Sequence, residues 1–171
     1  DRNFVTADGN FLAVFDGHCG FEVSSVASSC IYPFYRKHLD PLTNGGKEVA
    51  TAAIVKTALE GAMAELDEYI MKFHFSHRIG STASMVVLVY EDASSDKPTH
   101  YVSCNLGDSR VVLSRGGKAI DLTVDHDPGT PEEMERIEKA GGRVEWDGMF
   151  DRKGKPLLSH GVYRLQGFLS V

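Results

Sequence analysis

Near the start of the chain, a carboxylate, a glycine and an imidazole directly follow an apolar run typical of a strand. The run Phe11–Phe15 ends at Asp16, and Gly17 and His18 come next. A buried strand that ends in this way brings both polar groups to the rim of a core, where water, a metal ion and a substrate can reach them. Enzymes that use a metal-bound water often have this arrangement. Taken alone, Asp16 is explained equally well as a helix cap, and His18 better as a packed or capping histidine.

Two other groups of residues could bind a metal ion, and each has a simpler explanation. His74 and His77 are three residues apart and could share a helix face. Because no acidic partner stands at a fixed spacing, a solvated helix end is the favoured interpretation. The acidic run Asp125–Asp127 is followed by a proline and a glycine. That order favours a turn with local hydrogen bonds over a metal site.

Composition excludes several classes of function. The 171 residues, 42% of them apolar, are typical of one globular domain. The net charge of -6, without a stripe of basic residues, argues against nucleic-acid or anionic-membrane partners. We see neither a signal peptide nor an apolar run near the roughly 18 residues of a membrane span. The three cysteines contain no C-x-x-C pair, so we expect reduced thiols and an intracellular protein, cytoplasmic or nuclear.

Strand patterns come first in the chain, then helical patterns, then strands again. Helical spacing predicts two helices, from about Cys19 to His38 and from about Lys47 to Phe73, which should pack antiparallel. Pro33 predicts a kink or an early end of the first helix. Strands are predicted at 3–7, 10–15, 82–90, 99–105, 110–114 and 118–122, and a third helix at 132–140. This order indicates an α+β domain and excludes an alternating βαβ fold.

The last part of the chain is rich in glycine and turn signals. Over Arg143–Val171 these signals predict an irregular excursion that returns to a strand near Phe168.

Four sequence motifs occur in a fixed order along the chain. They are F-x-A-V-F-D-G-H-x-G at Phe11–Gly20, G-S-T-A at Gly80–Ala83, N-x-G-D-S-R at Asn105–Arg110, and D-H-x-P followed by E-x-x-R-I-x-x-A-G-G within Asp125–Gly142. Each motif alone is moderately specific, but the ordered set is highly specific and covers nearly the whole chain. With these motifs the chain resembles the metal-dependent serine/threonine protein phosphatases of type 2C.

The resemblance implies a fold and a reaction. The fold is a four-layer αββα sandwich of two antiparallel β-sheets flanked by helix pairs, here expected to be incomplete at the C-terminus. Residues 1–171 would form a single incomplete catalytic domain, with a flap at about 128–161 that shapes substrate choice. The implied reaction is hydrolysis of phosphoserine and phosphothreonine in phosphoprotein substrates by a metal-activated water. Two Mg²⁺ or Mn²⁺ ions, and a third that binds more weakly, are the implied cofactors, since hard cations prefer oxygen ligands.

The resemblance also implies a role for individual residues. Asp16 matches the aspartate that bridges both metals, and Gly17 matches the residue that contributes its backbone carbonyl oxygen. His18 matches the proposed general acid. Asp108 matches an aspartate linked to the third metal, although alone it is better explained as a turn former. Asp1 matches the second member of the family's N-terminal Glu-Asp pair. It would hold the metal ligands in place without binding a metal ion directly.

Other residues of the family pattern have no counterpart in the chain. The upstream Glu and Arg and the downstream aspartates are missing, so we expect the 171 residues alone to bind metal weakly and to have little or no activity. Two hypotheses follow: an active phosphatase, or a catalytically inactive phosphatase-like binding or regulatory module. The joint presence of Asp16, Gly17, His18 and Asp108 favours the active phosphatase.

Overall fold

The computed structural model describes residues 1–92, 94 and 96–167, with the backbone alone at 76 and 77. These residues form two compact units, Asp1–Val124 and Asp125–Val171. Helices and antiparallel sheets are segregated along the chain, which confirms the predicted α+β class. None of the helices in the described ranges is long and apolar enough to span a bilayer.

The first unit contains both long helices. Its described elements are β1 (Arg2–Val5), β2 (Phe11–Phe15), β3 (Gly17–His18), α1 (Glu22–Leu42), α2 (Ala52–Ile70), a 3-10 turn (His74–His77), β4 (Gly80–Ser81), β5 (Ala83–Val89), β6 (His100–Leu106), β7 (Val112–Arg115) and β8 (Lys118–Asp121). β1, β2, β5 and β6 form an antiparallel four-stranded sheet in the order β1-β2-β5-β6. The pairs β3–β4 and β7–β8 form small two-stranded sheets.

The two faces of the four-stranded sheet differ in burial. Phe11, Ala13 and Phe15 of β2 are buried in one core with side chains of α1 and α2. The alternate residues Leu12 and Val14 are 38% and 51% exposed on the other face. Burial of each large apolar side chain contributes roughly 1.5–3 kcal/mol, so the helix pair holds this sheet from one side. These elements account for one helix layer and one sheet of the predicted sandwich.

The first helix begins later and ends later than predicted. Cys19 has a φ of 60°, in the left-handed region, so it cannot belong to a right-handed helix, and α1 begins at Glu22. The helix also continues past Pro33, although a proline inside a helix costs about 3 kcal/mol. Ile31 and Tyr35, on either side, are 0% and 4% exposed. Their burial offsets that cost. The predicted early end is therefore wrong, and the alternative of a kink at Pro33 stays a prediction.

The second helix is shorter than predicted. The Thr51 side chain accepts a hydrogen bond from the backbone N–H of Ile54 at 3.3 Å, which caps α2 at its start. The helix therefore begins at Ala52, five residues after Lys47, and it ends at Ile70.

The two long helices make extensive contact with each other. Phe34 of α1 contacts Tyr69 of α2, and His38, one turn later in α1, contacts Glu65. The two helices therefore run in opposite directions, which confirms the predicted antiparallel pairing.

The second unit consists of α3 (Pro131–Lys139), β9 (Val144–Phe150) and β10 (Pro156–Leu165). β9 and β10 form an antiparallel hairpin, so the predicted irregular excursion is wrong over these residues. Gly148 and Gly161 are register partners, and a Cβ on either would collide with the other strand and with the ring of Trp146. These glycines permit close approach of two strands instead of forming turns. Phe168 lies outside the described residues.

Candidate active site

One end of the four-stranded sheet brings together residues from three of the sequence motifs and the first residue of the chain. The registers of β1, β2, β5 and β6 place Asp1, Asp16, Thr82 and Gly107 in one row, each one position beyond the end of its strand. Asp108 follows Gly107 directly. We refer to this row as the Asp16 end of the sheet.

The backbone of Asp16 is held by Thr82. The Asp16 N–H donates to the Thr82 hydroxyl oxygen at 3.1 Å, and the Thr82 N–H donates to the Asp16 carbonyl oxygen at 2.9 Å. Thr82 is 2% exposed, whereas Asp16 is exposed. The chain around Asp16 is therefore fixed, while its carboxylate remains available to solvent or a ligand.

Gly17 lies where a side chain has no room. A Cβ at this position would be 2.8 Å from Ser24 Oγ and 2.9 Å from the carbonyl oxygen of Gly20. Ser24 is itself fully buried, and its hydroxyl donates to the carbonyl oxygen of Phe21 at 2.9 Å. The first turn of α1 therefore packs directly on β3 and requires glycine at this position.

His18 is half-buried and lies against Gly80, its register partner on β4. A Cβ on Gly80 would collide with Nε2 and Cε1 of the imidazole. Among the described residues Nε2 has no hydrogen-bond partner, and it is buried. Burial lowers the pKa of His18, and the negative charges of Asp16 and Asp108 partly oppose that shift. His18 therefore lies within electrostatic reach of both Asp16 and Asp108.

Asp108 is exposed on a turn that packs against Thr82. Gly107 has a φ of 91°, and a Cβ there would be 2.8 Å from Thr82 Cγ2. The Ser109 hydroxyl lies 2.6 Å from the Thr82 hydroxyl. One buried threonine side chain therefore contacts both the Asp16 backbone and the Asp108 turn.

Sequence reasoning identified the charged residues but missed the small polar residues that support them. A hydrogen-bonded network connects β5, β6 and the Asp108 turn, and its members are Thr82, Ser84, Asn105 and Ser109. The signal was present, because these residues belong to the G-S-T-A and N-x-G-D-S-R motifs or adjoin them. Ser84 and Thr82 are also polar residues within an otherwise apolar run, which a core strand rarely carries without partners.

Asp1 lies at the margin of the site. It is exposed and opposite Asp16 in register, and its carbonyl oxygen accepts a hydrogen bond from Arg2 at 2.8 Å. The guanidinium of Arg2 lies 5.4 Å from the ring centre of Phe21. These contacts hold the first residues near α1.

The alternative metal sites have different outcomes. The predicted turn at Asp125–Asp127 is confirmed: Asp127 Oδ1 accepts from the Gly129 N–H at 2.7 Å, and its carbonyl accepts from the Thr130 hydroxyl at 2.9 Å. His74 and His77 lie on the 3-10 turn. The side chain of His77 is outside the described residues, so their interpretation stays a prediction.

The potential metal ligands at the Asp16 end are oxygen atoms, the type of ligand that a hard divalent cation prefers. Asp16 and Asp108 supply carboxylates, and Gly17 supplies a backbone carbonyl, which are the ligands that Mg²⁺ and Mn²⁺ prefer. Within the part of the chain that the structure describes, His, Cys, Asp and Glu side chains form no group of three or more that could hold a metal ion.

The family comparison decides the identity of the fold. The protein phosphatase 2C family matches residues 5–157. The chain belongs to this family. A probable protein phosphatase 2C of Arabidopsis thaliana is 37% identical over 139 residues, covering 80% of this chain and 34% of the relative. Overall, the chain spans about a third of the length of the curated relatives it matches.

Solved structures agree with this assignment. A sex-determining protein of C. elegans superimposes with a TM-score of 0.66 at 25% identity, covering 94% of this chain and 34% of that one. A phosphatase from Toxoplasma gondii gives a TM-score of 0.55 at 28% identity, covering 94% of this chain and 54% of that one. The arrangement of sheet and helices described above is therefore that of the protein phosphatase 2C fold.

Proposed function

We propose that the whole protein is a serine/threonine phosphoprotein phosphatase that depends on Mg²⁺ or Mn²⁺, with the Asp16 end of the sheet in its active site. The observation that supports this most directly is the meeting of Asp16, His18 and Asp108 at one end of the sheet in a chain of the protein phosphatase 2C family. Its substrates are phosphoserine and phosphothreonine side chains of other proteins.

Each residue has a role in this proposal. Asp16 and the carbonyl oxygen of Gly17 would hold a pair of divalent cations, and Asp108 would hold a third that binds more weakly. Asp1 supports these ligands from the neighbouring strand. When bound, divalent cations offset the charge of a phosphate group and lower the pKa of water into a usable range. In its protonated form, His18 donates a ring proton to the departing serine or threonine oxygen as the bond between that oxygen and phosphorus breaks.

A chelation experiment with the whole protein tests the proposed activity. The protein is stripped with EDTA, and phosphate release from a phosphothreonine peptide is followed before and after addition of Mn²⁺ or Mg²⁺. We expect release to disappear on chelation and to return with either ion. Full release by the stripped protein would contradict metal dependence. Residues 1–171 alone should show little or no release in the same assay.

The alternative is that the whole protein is a catalytically inactive phosphatase-like binding or regulatory module. A folded whole protein that releases no phosphate with added Mn²⁺ would favour this alternative. Release with Mn²⁺ would exclude it.

Two further parts of the proposal concern the second unit and the compartment. Residues 128–161, which form most of the second unit, act as a flap that shapes substrate choice. The three cysteines Cys19, Cys30 and Cys104 are free thiols. Unpaired thiols are typical of reducing compartments, which supports an intracellular protein.

A further inference from the structure

Two polar side chains on neighbouring strands hold the turn that carries Asp108. Ser84 on β5 and Asn105 on β6 are register partners, and Ser84 is only 7% exposed. The Ser84 hydroxyl donates to Asn105 Oδ1 at 2.5 Å. Because the oxygen of the amide is engaged in this way, its nitrogen must point in the other direction.

The Asn105 nitrogen donates to two backbone carbonyls. Its Nδ2 lies 3.0 Å from the carbonyl oxygen of Gly107 and 3.2 Å from that of Val124, so both of its hydrogens can be used. The Ser84 hydroxyl also lies 2.9 Å from the carbonyl oxygen of Ser109, and its single hydrogen can be donated either to this oxygen or to Asn105 Oδ1. The carbonyls immediately before and after the aspartate of the turn therefore both contact one Ser–Asn pair.

The turn needs such support because its own backbone provides little. Gly107 has no side chain, and its φ is 91°. Glycine loses more conformational freedom than other residues when its backbone is ordered. Asp108 is exposed, so its side chain adds no packing of its own to the turn. A cross-strand hydrogen-bonded pair restricts this turn more than local contacts could.

We propose that Ser84 and Asn105 are positioning residues that set the orientation of Asp108, an inference that rests on the function proposed above. The two residues touch neither substrate nor metal. They act through the carbonyl groups of Gly107 and Ser109, on either side of the aspartate.

The first test measures the turn in the metal-free whole protein by hydrogen exchange and mass spectrometry. Loss of the Ser84 hydroxyl in Ser84→Ala should raise exchange of the amides at 107–110 about tenfold, the effect of roughly one hydrogen bond. Ser84→Thr keeps the hydroxyl and should restore slow exchange. Ser103→Ala is the matched control, because the Ser103 hydroxyl also donates from β6 to a backbone carbonyl, that of Leu122 at 3.1 Å.

The exchange result separates positioning from general stability. Slow exchange at 107–110 in Ser84→Ala would overturn the inference. Equal acceleration in peptides from β2 and β5 would also overturn it, because the variant would then loosen the whole sheet. Ser103→Ala should leave the turn unchanged.

The second test is a double-mutant cycle read by Mn²⁺ binding, measured by electron paramagnetic resonance. We expect Ser84→Ala to weaken Mn²⁺ binding about three- to tenfold, and to add nothing when Asp108 is already replaced by Ala. Additive effects of the two changes would overturn the inference. If Asp108→Ala alone leaves binding unchanged, the proposed metal role of Asp108 is wrong, and the exchange experiment still decides whether Ser84 holds the turn.

Discussion

The two ends of the four-stranded sheet use similar polar residues in different ways. At the end opposite Asp16, Thr6, Asp8 and Asn10 form the turn between β1 and β2, which we call the turn end. The Thr6 hydroxyl donates to Asp8 Oδ1 at 2.5 Å, and the backbone and side-chain N–H groups of Asn10 donate to the Asp8 carboxylate at 3.0 Å. These bonds join residues two positions apart and stabilise only their own turn.

At the Asp16 end the hydrogen bonds join distant parts of the chain. The bond from Asp16 to Thr82 spans 66 positions, that between Thr82 and Ser109 spans 27, and that between Ser84 and Asn105 spans 21. Such bonds fix one loop relative to another strand. A catalytic site requires this relative placement, whereas a structural turn does not.

The turn end also borders a cavity of about 430 Å³. Its apolar lining includes Phe11, Leu39 and Val89, together with Tyr35. Burial raises the pKa of Tyr35 to about 12, so this hydroxyl stays protonated near neutral pH and is not suited to acid–base catalysis there. His18, the proposed general acid, lies instead near Asp16 and Asp108.

The largest expected difference between the ends concerns His18. Gly80→Ala would place a methyl group where the imidazole lies, and displacement of a catalytic group by about 1 Å can cost roughly a hundredfold in rate. Gly9→Ala, at the turn end, has open space around its Cβ. The kcat for phosphate release by the whole protein should fall about a hundredfold in the first variant and stay near wild type in the second. Equal kcat values in the two variants would contradict the expected difference between the two ends of the sheet.

A second pair of variants compares stability at two left-handed glycines. Both Gly107 and Gly9 have positive φ, at 91° and 70°, so alanine costs about 1–2 kcal/mol at each from backbone strain. At Gly107 the new Cβ would also meet Thr82 at 2.8 Å, which adds about 1–3 kcal/mol of overpacking. Urea denaturation should therefore show the greater loss of unfolding free energy for Gly107→Ala. Equal losses would show that the Asp108 turn moves freely away from Thr82.

Threonine hydroxyls at the two ends provide a smaller contrast. Thr82 is 2% exposed, so Thr82→Val leaves the partly buried N–H of Asp16 without an acceptor, at a cost of about 1–3 kcal/mol, and Thr82→Ser should recover most of it. Thr6→Val also removes the acceptor of a backbone N–H, that of Phe11. Because Thr6 is partly exposed, water can replace its hydroxyl, and the cost should be about 0.5–1 kcal/mol. Chemical denaturation of all three variants measures their losses of unfolding free energy and so tests this order. A cost for Thr6→Val as large as that for Thr82→Val would contradict it.

The smallest expected effect is the pH dependence of the turn end. The Thr6 hydroxyl and the Asn10 N–H groups lower the pKa of Asp8 below 3.8. A lowered folded-state pKa means that the stability is present above pH 3.8 and is lost as the pH falls through the folded value. Because Asp8 is exposed, solvent screening limits the effect to a few tenths of a kcal/mol. Denaturation at pH 5 and pH 3 measures the loss of unfolding free energy between the two pH values. We expect a smaller loss in Asp8→Asn than in wild type, and identical losses would exclude a contribution from Asp8.

The sequence was sufficient for what depends on local pattern. The apolar run Phe11–Phe15, the apolar stripes of the two long helices and the four ordered motifs predicted the α+β fold, the family and the charged residues of the Asp16 end. The sequence was insufficient where contacts between residues far apart in the chain determine the local structure. Pro33 lies inside α1 because burial of its neighbours offsets its cost. Gly148 and Gly161 lie in strands because their cross-strand contact excludes a side chain.

The supporting residues of the site were missed for the same physical reason. Ser84 and Asn105 are 21 positions apart and become neighbours only when β5 pairs with β6. No spacing rule within one element connects them. Their hydrogen bonds to the Asp108 turn follow from the register of the sheet.

The most direct measurement compares two aspartates at opposite ends of the same sheet. In the whole protein with saturating Mn²⁺, phosphate release from a phosphothreonine peptide is measured for Asp16→Ala and Asp8→Ala. We expect the Asp16 variant to lose more than about a hundredfold in kcat/KM, while the Asp8 variant keeps activity near wild type. Wild-type release by Asp16→Ala would contradict a metal-dependent phosphatase site at the Asp16 end.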